Sequence, residues 1–121
     1  MVKRSLGLVV RRALTCVAVL GLLGAAQAQA SRPPTAREAT EIRTDAKLYL
    51  QGRGWRVNGI RLSTVNGRYA TAAVQQGKSG PGGEMILLLR HGIWHEIFLG
   101  TDGFCAAHAP KRVLDDLGFR C

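Results

Sequence analysis

The sequence predicts an α+β domain in which an N-terminal helix packs on a four-stranded antiparallel meander and a short C-terminal helix closes the chain. Three observations lead there. Over residues 35–50, apolar side chains recur every three or four positions. From Trp55 the pattern changes to short strand-like runs, separated by Asn66-Gly67, by a glycine-rich stretch at 77–83 and by His91-Gly92. Beyond Pro110 a last apolar stripe returns at helical spacing. A length of 121 residues suits one domain.

The first thirty residues stand outside that domain. Lys3, Arg4, Arg11 and Arg12 precede an apolar run over 13–26, which ends in Ala-Gln-Ala-Gln-Ala. This is the order of a cleavable signal peptide, with cleavage expected after Ala28 or Ala30. The run is short for a membrane span, and Gln27 and Gln29 break it. Cys16 lies within the leader and precedes most of the apolar run, whereas a lipid-bearing cysteine should follow it. The expected destination is periplasmic or secreted. Of the 17 basic and eight acidic residues, four basic ones fall in the leader. The formal charge of +9 therefore drops to +5 over residues 31–121.

Each element of the domain has its own signal. Ser31-Arg32-Pro33-Pro34 reads as an exposed lead, and residues 35–121 as the folded unit. Thr35 and Glu38 have capping-box spacing. Ala39, Ile42, Ala46, Tyr49 and Leu50 then mark one face of a helix of about 16 residues, ended by Gly52 and Gly54. Glu41, Arg43, Asp45 and Lys47 form its solvated face. Asn66-Gly67 is a two-residue hairpin signal between the first two strands. Residues 77–83 hold four glycines and a proline, which makes them a loop. His91-Gly92 turns the second hairpin. Pro110 suits the first turn of a helix, Val113, Leu114 and Leu117 give it an apolar face, and Gly118 ends it.

The second hairpin carries apolar residues on both faces. A two-residue loop places Leu89 opposite Trp94, Leu87 opposite Glu96 and Met85 opposite Phe98 on one face. Leu88 then faces His95, and Ile86 faces Ile97, on the other. A half-exposed antiparallel sheet should alternate instead. Either the sheet curls around its own core, or Trp94, Phe98, Met85, Leu87 and Leu89 present a partner surface, to a second copy or to an envelope protein.

Several stretches imitate active sites. Residues 72–79 read A-x-x-x-x-G-K-S, a relaxed phosphate-binding loop. That chemistry needs a glycine-rich turn running into a helix N-terminus. Here residues 72–76 belong to a strand, and Gly80-Pro81-Gly82-Gly83 cannot begin a helix, so no nucleotide is expected. His91-x-x-x-His95 would gather zinc on a helix but lies on a turn and a strand. Cys105-x-x-His108 with Cys121 is a weak zinc or thiolate signal. In an exported chain Cys105 and Cys121 are better read as a disulfide, and no metal or other cofactor is expected. Ser63, Ser79 and Thr101 lack the setting of a nucleophile. Glu84 and Glu96 fall on opposite faces of the sheet. No catalytic residue is assigned.

Arg53, Arg56, Arg61 and Arg68 cluster in sequence as a candidate anion-binding patch, for an anionic envelope polymer such as lipid head groups or glycans. Arg61 and Arg68 are expected on the same side. A solvated strand face that discourages edge pairing is the preferred explanation of them. Features typical of nucleic-acid folds are absent, and the compartment argues against that partner.

Gly92, Trp94, Gly100-Thr101, Cys105, Pro110, residues 113–118 and Cys121 together resemble a recurring pattern in small exported bacterial proteins of unknown function. In that pattern a glycine turn and a tryptophan-bearing strand lead to Gly-Thr, a cysteine, a V-x-x-D-L-G helix and a final cysteine. The match covers about a third of the chain. Tyr69 departs from it, because tryptophan is commoner before that alanine. The resemblance implies a disulfide-closed domain and brings no catalytic residues. The sequence thus favours an exported binding or structural module over its rivals, a small metal- or thiol-dependent enzyme and an inhibitor or accessory subunit.

Overall fold

The structure, a computed structural model, describes residues 31–121; the signal-peptide expectation, Cys16 included, lies outside the described residues. The order is helix α1 (Ala36–Lys47), strands β1 (Trp55–Leu62), β2 (Tyr69–Gln76), β3 (Gly82–Arg90) and β4 (Ile93–Gly100), a 3-10 turn (Phe104–Ala106) and helix α2 (Lys111–Asp116). The strands form one antiparallel sheet in the order β1-β2-β3-β4, with α1 packed on it. This is the α+β meander that the sequence predicts.

The capping box starts α1. The Glu38 amide donates to Thr35 Oγ1 at 3.1 Å, and the Thr35 amide donates to Glu38 Oε1 at 2.9 Å. Ile42 and Ala46 are fully buried against the sheet. The helix ends at Lys47, earlier than its apolar stripe suggests. The amides of Leu48, Tyr49 and Leu50 bond to carbonyls three residues back, which tightens the last turn. Leu48 consequently swings into solvent, while Leu50 packs against the core.

The lead at 31–34 is docked rather than free. Arg32 and Leu62 exchange backbone hydrogen bonds of 2.9 and 2.8 Å, so the lead pairs with the end of β1. Arg32 also grips Glu38 through two guanidinium bonds, at 2.9 and 2.8 Å. Those bonds and the capping contact from Thr35 hold the Glu38 carboxyl at about 2, below its usual 4.5. A lowered folded-state pKa stabilises the fold above the ordinary value, and that contribution fades as pH falls from 4.5 towards 2. The urea midpoint is therefore expected to drop between about pH 6 and about pH 3, and Arg32→Gln should reduce the drop.

Two bulges set the faces of the sheet. In β1, Asn58 pairs with Ala73 and Arg61 with Thr71, so β1 holds one extra residue, and Gly59 there takes φ 58°. The bulge lets Val57 and Ile60 both reach the core, three positions apart. In β4, Leu87 pairs with Glu96 but Ile86 pairs with Phe98. The extra residue moves Phe98 from Met85 to Ile86, onto the other face. The turn before it is the tight two-residue one expected, with His91 at φ 51° and Gly92 at φ 77°.

Asn66-Gly67 is not a two-residue turn. Leu62 pairs with Ala70, and the six residues between β1 and β2 wrap around Asp116 of α2. The Asp116 carboxylate accepts from Ser63 Oγ at 2.8 Å, from the Thr64 amide at 2.6 Å and from Thr64 Oγ1 at 3.0 Å. Ser63 Oγ in turn accepts the amides of Val65 and Asn66. Burial pushes the Asp116 carboxyl up, but these donors outweigh it and leave it below the usual range. Asp116→Asn turns a donor towards groups that also donate. It should cost about 1.5 kcal/mol, read as a lower urea midpoint.

Each face of the sheet has its own core. Towards α1 lie Ile42, Ala46, Val57, Ile60, Leu62, Ala70, Ala72, Val74, Met85, Leu87 and Trp94. On the far face Ile86, Ala107 and Leu114 are buried, with Ile97, Phe98, Phe104, Ala109 and Phe119 around them. The C-terminal segment supplies that second cover. Apolar residues on both faces of β3 and β4 are thus covered by the chain itself: α1 packs on one face, and the tail folds back over the other.

Candidate binding cleft

At the end of the sheet where β3 begins and β4 ends, an open cleft of about 450 Å³ lies between the sheet and the tail. Gly82, Gly83, Glu84, Gly100, Thr101, Phe104 and Phe119 line it. Glycine is needed in its floor. A Cβ on Gly83 would stand 2.8 Å from the Gly100 carbonyl oxygen, and one on Gly82 2.8 Å from that of Val74. Both distances are below contact with backbone that cannot yield, so these two positions of the floor carry no side chain.

Glu84 rises from the floor on the far face, paired with Ala73 on β2 and Gly100 on β4. It is half-buried. Thr71 Oγ1 lies 3.0 Å from Glu84 Oε2 and 3.1 Å from the Met85 carbonyl oxygen, and its one proton serves either acceptor. The opposite wall is aromatic. Phe104 and Phe119 stack with ring centres 4.5 Å apart and planes 19° apart, and Phe98 leans on Phe104 at 5.2 Å.

A disulfide holds that wall. Cys105 and Cys121 are bonded, with Cα atoms 5.6 Å apart, and they flank Phe104 and Phe119 in sequence. The Asp115 carboxylate adds a brace by accepting the Cys121 amide at 3.0 Å. The cleft therefore joins one carboxylate, one hydroxyl, peptide groups and a phenyl wall. That set can hold a small molecule carrying hydrogen-bond donors on an apolar body.

No protein-family model, curated protein or solved structure matches this chain.

The other residues singled out by sequence are dispersed. Met85 and Leu87 are fully buried and Trp94 is 3% exposed, so the proposed partner surface is the α1-side core. Leu89 packs against the same core, and Phe98 belongs to the far-face one. Edge contacts to α1 fix Trp94: its amide donates to Asp45 Oδ2 at 2.9 Å. The larger exposed apolar side chains include Leu48, Val65 and Ile93 instead.

The arginines do not gather into one patch. Arg61 is half-buried and bonds Ser31 through its hydroxyl, at 2.9 Å, and its carbonyl oxygen. Arg68 precedes β2 and donates to the Leu89 carbonyl oxygen at 3.0 and 3.2 Å. Arg56 donates to the Gly77 carbonyl oxygen at 2.8 Å, near exposed Arg53 at the opposite end of β1. Eight strand residues, roughly 25 Å, separate those ends. Arg61 and Arg68 thus serve different neighbours, because short polar contacts fix each guanidinium locally.

His91 sits in the turn, His95 Nδ1 lies 3.2 Å from Tyr49 Oη, and His108 is exposed. Among the described residues no three His, Cys, Asp or Glu side chains converge. The imitation phosphate loop runs along β2 into a turn, where Gly77 takes φ 63° and β3, not a helix, follows. Glu84 and Thr101 were visible in sequence only as a poor acid pair and a poor nucleophile. Thr71, Phe104 and Phe119 gave no signal. Their one trace is that two phenylalanines stand beside two cysteines.

Proposed function

We propose that this chain is an exported, disulfide-closed binding module, and that the glycine-floored cleft at Glu84 is where it binds. The leader pattern supports export, as does a cysteine pair spent on a structural bond. Among the described residues no helix is long and apolar enough to cross a membrane. The observation that carries the binding reading is that a half-buried glutamate and two disulfide-braced phenylalanines line the same open cleft of about 450 Å³. Thiol chemistry at Cys105 would need the bond to Cys121 opened first.

Small aromatic fragments, titrated into the oxidised protein, are expected to shift the amide signals of Gly83, Glu84, Gly100 and Thr101 before any others. Thr101→Trp fills the cleft from an exposed position. It should abolish those shifts while moving Tm by no more than about 3 °C. Shifts confined to another region would refute the cleft as the binding site.

A further inference from the structure

Resting on that reading, we infer that the ligand of this cleft is an organic cation: an ammonium or guanidinium group on an apolar body. The inference starts from how the carboxylates of the chain are partnered. Glu38 has Arg32 and the Thr35 amide, Asp115 has Lys111 and the Cys121 amide, and Asp116 has Ser63 and Thr64. Among the described residues Glu84 has only the hydroxyl of Thr71, which it shares with a main-chain carbonyl. Glu96 is also without such a partner among the described residues, but it stands opposite Leu87 on the α1 side and lines no part of the cleft.

An ionised carboxylate accepts about four hydrogen bonds and donates none. Half-buried in a cleft that two phenylalanines also line, it loses hydration that a single neutral hydroxyl does not replace. Among the described residues the lining contains no Lys, Arg or His, although residues 31–121 carry a net charge of +5. Asp102, Lys78 and Arg120 belong to neighbouring segments, and none of them is part of the lining. A cation entering here gains an opposite charge, hydrogen-bond acceptors and the phenyl wall, whose π-electrons attract it further. An anion is repelled by the carboxylate, and a neutral alcohol leaves that charge unpaired.

Benzylamine, benzyl alcohol and benzoate share one ring and differ in charge, so they separate the contributions. At constant ionic strength, followed by the amide shifts of Gly83, Glu84, Gly100 and Thr101, benzylamine is expected to bind about tenfold tighter than benzyl alcohol. Benzoate should be weakest. Glu84→Gln keeps the shape and an acceptor for Thr71, and it should bring benzylamine to the level of the alcohol. Ala73→Lys places an ammonium from the exposed position paired with Glu84, and it should have the same effect without touching the carboxylate. Equal affinity for the three probes, or an amine preference that survives both substitutions, overturns the cationic ligand and leaves the cleft reading standing. If no probe shifts the cleft amides, both fall.

Discussion

Trp94→Ala is expected to lower the unfolding free energy by about 3–5 kcal/mol and to leave the oligomeric state unchanged. The indole is 3% exposed and shares the α1-side core with Ile42, Met85 and Leu87, all of them fully buried. Truncating it removes a large apolar side chain and leaves a cavity between α1 and the sheet. The backbone around it cannot easily collapse into the gap, because the Trp94 amide is held by Asp45 from the helix. For a domain of this size Tm should fall by more than about 15 °C. Ile93→Ala, at the exposed position next to it, should cost no more than about 0.5 kcal/mol. Urea denaturation and sedimentation of the same samples distinguish the two roles of the tryptophan. An unchanged urea midpoint with a changed mass would mean that Trp94 serves an interface after all.

Replacing both cysteines, Cys105→Ser with Cys121→Ser, should destabilise the protein by about 3 kcal/mol on the chain-entropy account of a loop this long. Where the loss appears matters more than its size. The bond fastens the end of a segment that contributes Ala107, Leu114 and Phe119 to the far-face core. Core residues on the α1 side are held by helix and strand contacts the bond does not touch. Amide hydrogen exchange should therefore accelerate first over 103–121, at Phe119 above all, whose amide donates to the Leu114 carbonyl oxygen at 2.9 Å. The α1-side strand amides should follow only with global unfolding. The cleft loses its aromatic wall at the same step, so fragment binding should weaken more than the stability does. Uniform acceleration across the sheet would show instead that the two cores unfold together.

Much of the fold was legible because its signals are local. Thr35 and Glu38 announce a capping box whatever surrounds them, and His91-Gly92 supplies the left-handed residues a two-residue turn requires. Asn66-Gly67 carries a similar signal and yet forms no such turn. A carboxylate fifty residues away, on Asp116, offers the Ser63 and Thr64 donors better partners than a short hairpin would. The docked lead was illegible for the same reason, since its partners Leu62 and Arg61 are distant in sequence.

Of the proposed partner surface, Met85, Leu87, Leu89 and Trp94 share one face as counted but lie under α1, and only Phe98 is misplaced. Counting inward from a two-residue turn gives the right pairs as far as Leu87 and Glu96. Beyond them the bulge adds Ile97, and Phe98 crosses to the opposite face. Alternation has a period of two, so a single extra residue reverses every assignment after it. No local composition marks the place.

By itself the sequence determined the order of elements, the antiparallel meander, the α+β class and the two cysteines available for a staple. These rest on periodicity, caps and turns, which short stretches of chain decide for themselves. Only the tertiary structure decided that both sheet faces are covered from within. It also decided where the bulges fall, and that Glu84, Thr101, Phe104 and Phe119 meet around one cleft. Such a meeting depends on long-range packing and on closing a loop between Cys105 and Cys121, and neither leaves a pattern in neighbouring residues.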